Sequence, residues 1–567
     1  MTIHSLLSTK SARLTTVIIL LTSLSIAQSR PAAGSSSEKA SALMKPPQAR
    51  IEAVVNDYHG HKVSDPYRWL EDAGSPETQK FVEQQNAYTQ SVLAAAPGLD
   101  RAKMRSRIEQ LLSIGRVEAP AVRANLYFHT RRDGNQNQPV VYVREGVQGK
   151  DRPIIDVNAL AADGTIALDW WYPSHDGRYV AYGTSPNGSE ISTLRVIETA
   201  SGKLLPEQIG RTRAASVAWL PDGSGFYYTK YPRPGDVPAG EEMYNRHVFF
   251  HKLGSADNSD GLKDPLIFGE GIDPQRWPNL EISDDGKWLL VSLEQGWTKT
   301  ELFLKNLADP AAKFVTVTTG KDFLYYGSLY DGQLYISTNE DAPRYHVFKT
   351  ACATPERSHW KEILPQGEHT ISDATVVGGK LFVQHIKNAS SALSIFDLGG
   401  KRVAEVAMPT LGSIIEDRIG GSRTSKEAFF AFYSYAMPPT VYRVSLDGQV
   451  SEWDKVPSDI DARQYEVRQL WSNSKDGTRV PMFVVSKKGL VLNGKNPTLL
   501  SGYGGFNIGR TPFFNRGAML LLLEHGGVYV DVQLRGGSEF GEAWHRAGML
   551  ENRQNVFDDF IAAAEYL

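Results

Sequence analysis

The sequence predicts a β-propeller of seven blades, with a helical segment before it and the start of an α/β domain with a parallel sheet after it. Three observations lead to this prediction. Short aromatic and β-branched runs recur at a nearly constant interval through the middle of the chain. Tight turns precede most of these runs. Strands alternate with helical patterns only near the end of the chain.

The bulk composition indicates a soluble globular protein. The chain has 567 residues, of which 41% are hydrophobic and 22% charged, and this length suggests several domains. A net charge of -3 gives no electrostatic reason to expect nucleic acid as a partner. The single cysteine, Cys352, excludes an internal disulfide and a Cys-ligated metal cluster. Its sequence neighbours offer no activating base, so we expect Cys352 to be structural rather than a nucleophile.

Residues 1–27 have the pattern of a signal peptide. Lys10 and Arg13 form the positive region, and residues 14–26 form the apolar stretch. An uncleaved membrane anchor is the alternative, but about 20 apolar residues are needed to span a bilayer. Residues 28–50 are rich in Ser, Ala and Pro, which predicts a disordered linker. We expect a secreted or periplasmic protein that is not bound to a membrane after cleavage.

The next segment, residues 51–122, has the pattern of helices after a short extended lead. Ser75 and Pro76 combine an N-cap hydroxyl with a proline at the first helical position, which predicts a helix start. A second helix is indicated by apolar residues at helical spacing, namely Met104, Ile108, Leu111 and Leu112.

Residues 123–462 have the pattern of a propeller. One aromatic residue marks each unit, and the intervals between markers are 52, 48, 61, 47, 47 and 48 residues for Tyr127, Tyr179, Tyr227, Trp288, Tyr335, Phe382 and Phe430. Seven units with a period of about 40–50 residues are typical of a β-propeller. Most units are introduced by turn dipeptides, namely Asp176-Gly177, Asp222-Gly223, Asp285-Gly286, Asp331-Gly332 and Gly378-Gly379. An irregular β-sandwich is the alternative, but it does not explain the even spacing.

Residues 463–567 have the pattern of an α/β domain. A hairpin is predicted from Tyr465 to Lys487 with its turn at Asp476-Gly477, and buried strands are predicted at 498–500 and 528–532. An amphipathic helix follows at 555–567, and its apolar side is predicted to contain Val556, Phe560, Ala564 and Leu567. We expect this domain to be incomplete, because no strand follows the helix.

The 567 residues contain no Gly-x-Ser-x-Gly elbow and no His-Glu-x-x-His motif. Ser538 follows a glycine but lacks the second one, so we interpret it as a loop residue. His59 and His61 could begin a zinc site, yet no third ligand is suggested. The pair Asp558-Asp559 is interpreted as a solvated helix face.

Several longer motifs carry a resemblance to a known family. They occur in order along the chain: Tyr58-His59-Gly60, Asp65-Pro66-Tyr67-Arg68-Trp69-Leu70-Glu71-Asp72, Asp476-Gly477-Thr478 with Val480-Pro481-Met482, Gly502-Tyr503-Gly504-Gly505-Phe506, Arg535-Gly536-Gly537, Gly541-Glu542, Trp544-His545 and Asn555-Val556-Phe557-Asp558-Asp559-Phe560. In these motifs the chain resembles the prolyl oligopeptidases from about residue 51 to its last residue.

This resemblance implies a seven-bladed β-propeller inserted in an α/β-hydrolase domain. Residues 51–122 would be the N-terminal helical part of the hydrolase domain, and residues 463–567 would be the start of its catalytic part. The implied activity is that of a serine peptidase that cleaves short peptides on the carboxyl side of proline. No metal or organic cofactor is implied, the partners would be proline-containing peptides, and we expect a monomer.

Two residues take on roles through the resemblance. Tyr503 is similar to the tyrosine whose hydroxyl helps to bind the oxyanion, and Phe506 to the aromatic residue that lines the proline pocket. The structural alternative for both is a packing aromatic. Gly505-Phe506 stands where the related basic-residue-specific oligopeptidases have Ser-Tyr, which favours the prolyl branch. One departure is Glu294, shortly before Trp297, where the family has an arginine that reaches toward the substrate.

The catalytic Ser, Asp and His of the family would lie beyond Leu567, so we expect residues 1–567 to be inactive by themselves. The leading hypothesis is part of a peptidase. The alternative is a non-catalytic propeller that binds peptides, but such a protein has no need of the Gly502–Phe506 loop. A carbohydrate-binding propeller has no support beyond the fold.

Overall fold

The computed structural model describes residues 45–567 apart from residues 97, 99, 162, 256 and 319. The predicted signal peptide and residues 28–44 of the predicted linker lie outside the described residues. The chain divides into two compact units, whose described parts are residues 45–107 and 108–567. No helix in the described part of the chain is long and apolar enough to cross a membrane.

The smaller unit begins with an antiparallel hairpin and continues in helices: β1 (Val54–Tyr58), β2 (His61–Asp65), α1 (Pro76–Ala95) and α2 (Arg101–Leu112), the last of which extends past residue 107. Ser75 caps α1, because its hydroxyl accepts a hydrogen bond of 3.2 Å from the backbone N–H of Thr78. Pro76 occupies the first turn, so the predicted helix start is confirmed.

Seven antiparallel sheets follow one another between residues 116 and 455 of the described chain. The strands of blades 1 to 3 are β3 (Arg116–Val117), β4 (Ala121–Arg123), β5 (Leu126–Arg132), β6 (Val140–Glu145) and β7 (Asp151–Ile155); β8 (Ile166–Pro173), β9 (Tyr179–Pro186) and β10 (Thr193–Glu198); β11 (Val217–Trp219), β12 (Gly225–Lys230), β13 (His247–Lys252) and β14 (Leu266–Phe268).

Blades 4 to 7 each have four strands in sequence order. They are β15 (Trp277–Ile282), β16 (Trp288–Gln295), β17 (Lys299–Asn306) and β18 (Val315–Thr316); β19 (Tyr325–Tyr330), β20 (Gln333–Thr338), β21 (His346–Ala351) and β22 (Lys361–Leu364); β23 (Thr370–Val377), β24 (Lys380–Lys387), β25 (Ser390–Phe396) and β26 (Arg402–Val406); β27 (Ser413–Gly420), β28 (Glu427–Ser434), β29 (Met437–Ser445) and β30 (Val450–Lys455). The predicted seven-bladed propeller is confirmed.

The predicted turns join the first and second strands of blades 2 to 6. The glycines of the four Asp-Gly turns have φ between 66° and 74°, a backbone region that side chains disfavour. The aromatic markers lie on one strand of each blade, namely β5, β9, β12, β16, β20, β24 and β28. The period in the sequence is therefore the distance along the chain between these strands in successive blades.

Blade 1 begins earlier than the sequence pattern indicated. Arg116 pairs with Arg132, and Ala121 pairs with Phe128, so β3 and β4 belong to the first sheet. These strands have two and three residues, which is too short for an alternating pattern to be recognised.

Polar contacts and aromatic rings join blade 1 to blade 7. Arg144 binds Asp454 at 3.0 Å, and the indole N–H of Trp453 donates to the backbone oxygen of Val147 at 2.8 Å. The rings of Tyr127 and Phe429 pack edge to face at 5.7 Å. These contacts close the ring between segments about 300 residues apart in sequence.

The α/β part is a mixed sheet in the order β31-β32-β34-β33, and only β33 and β34 run parallel. Its strands are β31 (Tyr465–Asn473), β32 (Arg479–Lys487), β33 (Thr498–Gly502) and β34 (Val528–Val532), and its helices are α3 (Ala518–Glu524), α4 (Glu542–Arg546) and α5 (Gln554–Tyr566). The hairpin prediction is confirmed. The prediction that residues 498–500 form a buried strand is wrong in its burial. They form the strand β33, but β33 lies at the edge of the described sheet and Leu499 is exposed.

The buried face of α5 differs from the predicted face. Val556, Asp559 and Ala563 are buried, whereas Leu567 is exposed and Ala564 lies on the exposed side. Val556 of the predicted face is buried and Phe560 is partly buried against the core, so these two residues agree with the prediction. The buried side also includes the carboxylate of Asp559, which hydropathy assigns to solvent.

Candidate active site

A cavity of about 410 Å³ lies between the propeller and the loops that follow β33 and β34. Its lining is rich in aromatic rings and includes Trp297 and Tyr326 on the propeller side and Phe506 and Phe513 on the α/β side. Four charged side chains also line it, namely Arg116, Glu294, Glu416 and Arg510. A cavity of this size that combines aromatic walls with polar groups is typical of a ligand site.

The Gly502–Phe506 loop leaves the end of β33 and is held close to α5. Gly504 has φ +60°, and a β-carbon there would lie 2.6 Å from Cγ1 of Val556. The backbone oxygen of Gly504 accepts a hydrogen bond from the guanidinium of Arg553. The glycine is therefore required both by its backbone conformation and by the close approach of the helix.

The loop brings the two predicted site residues together. Phe506 has φ +55° and is 56% exposed, and its ring lines the cavity. The ring centroids of Tyr503 and Phe506 are 6.4 Å apart. On the propeller side, Trp297 packs edge to face on Phe506 at 5.9 Å. Phe506 thus bridges Tyr503 and the propeller wall, although Tyr503 itself does not line the cavity.

The α/β wall also contains a buried polar group that sequence patterns did not indicate. The guanidinium of Arg510 binds the fully buried Asp531 at 2.7 Å and lies 4.9 Å from the ring centroid of Phe513. The hydroxyl of Tyr435, from blade 7, donates to Asp531 at 2.8 Å. Arg510 and Asp531 therefore connect the site loop to the propeller. Each is a single charged residue outside any motif, so no local signal identifies it.

Ser538 lies on the cavity wall, next to the buried Glu539. No imidazole hydrogen-bonds the hydroxyl of Ser538 within the described residues. Glu539 is 1% exposed, and one of its carboxyl oxygens accepts a hydrogen bond of 2.7 Å from the backbone N–H of Arg510. Ser538 thus helps to form the wall without the arrangement of an activated nucleophile.

Two family models of known proteins match this chain, one over the propeller and one over the α/β part. The sequence model described as the prolyl oligopeptidase N-terminal beta-propeller domain matches residues 46–456, and that of the prolyl oligopeptidase family matches residues 514–567. The chain belongs to the prolyl oligopeptidase family. The resemblance inferred from the motifs is confirmed, as is the combination of a propeller with a hydrolase domain.

Individual relatives are prolyl peptidases. A prolyl endopeptidase from Elizabethkingia meningoseptica is 32% identical over 547 residues, which cover 96% of this chain and 76% of the relative. Prolyl oligopeptidase A from Amanita bisporigera is 29% identical, with coverages of 92% and 73%. A structure from a study of two prolyl endopeptidases and their inter-domain dynamics has a TM-score of 0.84 and 36% identity, covering 92% of this chain and 76% of that one. The family is one of serine peptidases.

A buried ion-pair network supports the hydrolase part of this prolyl oligopeptidase family member. Arg535 binds Asp559 of α5 at 2.6 Å and Asp476 of the hairpin turn at 2.5 Å, and it donates to Ser474 at 3.1 Å. Asp559 is fully buried. The interpretation of the Asp558-Asp559 pair as a solvated face is therefore wrong for Asp559, because its charge is balanced by an arginine that is distant in sequence.

Glu539 provides a pH-dependent prediction. Burial raises the pKa of its carboxyl to about 8, whereas a glutamate in an unfolded chain titrates near 4.3. The folded state thus keeps a proton that the unfolded state releases, so stability falls as the pH rises between these values. Glutamine has no such proton to lose, so the free energy of unfolding of Glu539→Gln should not show this fall. Because one pKa unit corresponds to ~1.4 kcal/mol, we expect the stability of Glu539→Gln relative to the wild type to be at least ~1 kcal/mol higher at pH 8 than at pH 5.

Urea unfolding of both proteins from pH 5 to 8.5 measures this difference. Glu565→Gln, at an exposed position of α5, is the matched control and should leave the pH profile unchanged. Parallel profiles for the wild type and Glu539→Gln would contradict the prediction.

Other residues considered from the sequence lie away from the cavity. Cys352 is 2% exposed and packs in the core between blades 4 and 5, where burial raises the pKa of its thiol to about 12. His59 and His61 are exposed at the β1–β2 turn. His129, Asp151 and Asp454 have ligand atoms close enough for a metal, but Arg144 binds both aspartates at 2.7 and 3.0 Å. That arginine already balances the carboxylates, which disfavours a cation there.

Proposed function

We propose that the 567 residues described above belong to a serine-type endopeptidase that hydrolyses short peptides on the carboxyl side of proline. The observation that carries the proposal is the pair of Phe506 and Trp297 in the cavity, with Tyr503 beside Phe506. A rigid apolar proline ring suits an aromatic wall. A tyrosine hydroxyl at its edge suits the oxyanion of a tetrahedral intermediate. In this proposal the fold supplies peptide binding and one oxyanion donor, and a Ser-His-Asp triad supplies acyl transfer.

Residues 1–567 contain no Gly-x-Ser-x-Gly motif, so we expect this chain to bind proline-containing peptides without cleaving them. The test compares the 567-residue chain with the product of the complete gene. We expect only the latter to hydrolyse a proline-containing tetrapeptide and to react with a serine-directed fluorophosphonate. A complete product that binds the peptide but neither reacts nor hydrolyses would favour the alternative, a non-catalytic peptide-binding propeller.

Phe506 is expected to contribute directly to peptide binding. Truncation of a central aromatic residue in a binding site typically costs more than 1 kcal/mol, so Phe506→Ala should weaken binding of a proline-containing tetrapeptide by roughly tenfold. Calorimetric titration of the 567-residue chain measures this affinity. Phe557→Ala removes a similar ring from the exposed side of α5 and is the matched control. Equal affinities for the two variants would contradict the assignment of Phe506.

We propose in addition that the protein acts as a monomer outside the cytoplasm, in the periplasm or the medium. The charged and apolar pattern of residues 1–27 supports export. N-terminal sequencing of the mature protein tests whether this segment is removed.

A further inference from the structure

A second cavity, of about 360 Å³, lies within the propeller. Among the described residues, its walls come from β4, β8, β11, β15, β23 and β27 and from the turns after β4, β8, β15 and β27. Six different blades thus contribute to it, which places this channel cavity at the centre of the ring. Of its described lining residues, only Glu416 also lines the cavity that contains Phe506.

Two arginines of the channel cavity make no ion pair with a carboxylate that the structure describes. Arg123 lies at the end of β4, and its Nη1 donates to the backbone oxygen of Val122 at 2.9 Å. Its Nε–H is buried and has no hydrogen-bond partner among the described residues. The guanidinium of Arg418, on β27, lies 5.8 Å from the ring centroid of Trp171. Both arginines therefore retain N–H donors for a ligand.

A third arginine lies close to these two. Arg423, from the turn after β27, also lines the channel cavity and binds Glu281 at 2.9 Å. Burial lowers the pKa of Arg123 to about 10, and the charges of Arg418 and Arg423 act in the same direction. Asp284 acts in the opposite direction without reversing the shift. Arg123 is thus still charged at neutral pH, and an anion in the cavity would reduce the repulsion among the guanidiniums.

Three of the carboxylates that line the channel cavity have partners of their own. Glu416 binds Arg116 at 2.6 Å, and Glu281 belongs to the ion pair given above. Asp373 is 6% exposed and accepts a hydrogen bond of 2.6 Å from the hydroxyl of Thr375. These carboxylates are held in the wall by their partners and do not form ion pairs with the two unpaired arginines.

The fourth carboxylate, that of Asp284, is partly solvated. Its side chain is 55% exposed and lies 3.7 Å from Nδ1 of His175. Burial and the charge of Arg123 lower the pKa of His175 to about 4, so its imidazole is neutral at pH 7. A neutral imidazole offers an N–H donor without adding a charge.

We infer that the channel cavity binds a doubly charged oxyanion, which Arg123 and Arg418 hold. A guanidinium presents a fork of N–H donors that matches the oxygens of a phosphate group. Two unpaired guanidiniums match the charge of a phosphate dianion, whereas a single carboxylate would leave one positive charge unbalanced. Because the cavity is larger than a phosphate ion, the ligand is either inorganic phosphate or the phosphoryl group of a small molecule. The inference does not rest on the proposed peptidase function.

Calorimetric titration of the 567-residue chain at pH 8 and low ionic strength tests the inference, with inorganic phosphate and glycerol 3-phosphate as probes. We expect saturable binding with a dissociation constant of about 1 mM or lower, because hydrogen bonds to charged groups are the stronger ones. Acetate at the same ionic strength should bind at least about tenfold more weakly. Tighter binding of glycerol 3-phosphate would assign the ligand to a phosphorylated small molecule, and tighter binding of inorganic phosphate would assign it to the free ion.

Arg123→Gln and Arg418→Gln each remove one charge, and each should weaken phosphate binding by about tenfold or more. Arg233→Gln is the matched control, since its guanidinium is 60% exposed and binds Asp236 at the surface, and it should leave the affinity unchanged. Burial of an unpaired charge is unfavourable, so the Tm of Arg123→Gln without phosphate should equal or exceed that of the wild type. Phosphate should raise the Tm of the wild type more than that of either variant.

Circular dichroism shows whether each variant is folded, and Arg418→Gln carries the test if Arg123→Gln is not. The absence of saturable binding for both probes would overturn the inference. Unchanged phosphate affinity in the two arginine variants would place the ion elsewhere and overturn the site. Equal affinities for phosphate and acetate would overturn the charge match. None of these results bears on the proposed peptidase function, because that function is tested in the separate cavity that contains Phe506.

Discussion

Replacing Arg535 by methionine is expected to lower the free energy of unfolding of the α/β part by about 3–5 kcal/mol, because breaking a buried ion pair leaves an uncompensated charge. The side chain of Arg535 is 5% exposed, and that of Asp559 is fully buried. Asp559 accepts both from the guanidinium and from the backbone N–H of Arg535, so the variant would leave a carboxylate in an apolar interior.

The network also explains why the loss should be large. Arg535 joins three segments, because it contacts Asp559 on α5 and both Asp476 and Thr478 at the β31–β32 turn. Its own position follows β34. Removing the guanidinium therefore loosens the helix, the hairpin and the strand end together, including the region that holds the Gly502–Phe506 loop.

Urea unfolding followed by far-UV circular dichroism measures the change. Arg463→Met is the control, since its guanidinium is 88% exposed and binds the partly exposed Asp461, and a surface pair contributes ~0–1 kcal/mol. The double variant Arg535→Met/Asp559→Leu removes both charges and should recover part of the loss. A loss below 1 kcal/mol for Arg535→Met would show that the network does not stabilise this part of the chain.

If the proposed function holds, replacing Tyr503 by phenylalanine is expected to lower kcat for hydrolysis of a proline-containing peptide by about 10²–10³, the usual effect of removing one oxyanion donor. The ring would remain beside Phe506, so peptide binding and KM should change little. An interaction made only in the transition state lowers kcat and kcat/KM equally. Steady-state hydrolysis of a proline-containing peptide by the product of the complete gene measures both constants.

Tyr244→Phe removes a hydroxyl at an exposed position of the propeller and is the control. A decrease in kcat of less than fivefold for Tyr503→Phe would assign Tyr503 to packing. A rise in KM with unchanged kcat would assign it to substrate binding. If the serine-directed fluorophosphonate does not react with the wild-type enzyme, this result would instead contradict the proposed peptidase function.

The sequence by itself determined the features that depend on local chemistry. A positive φ at Gly177 and its counterparts and a proline at the first turn of α1 are properties of a few adjacent residues. The repeated aromatic strand gave seven blades, because each blade repeats the same short-range pattern. Motifs such as Gly502–Phe506 identified the family and two candidate site residues.

Only the tertiary structure decided which distant residues meet. The burial of Asp559 depends on Arg535, and the closure of the ring depends on Arg144 and Asp454, which are 310 positions apart. The position of Glu294 on the cavity wall likewise depends on blade 4 facing the loop after β33. Hydropathy assigns a lone carboxylate to solvent, because the cost of burying it is offset only by a partner that the local sequence does not reveal.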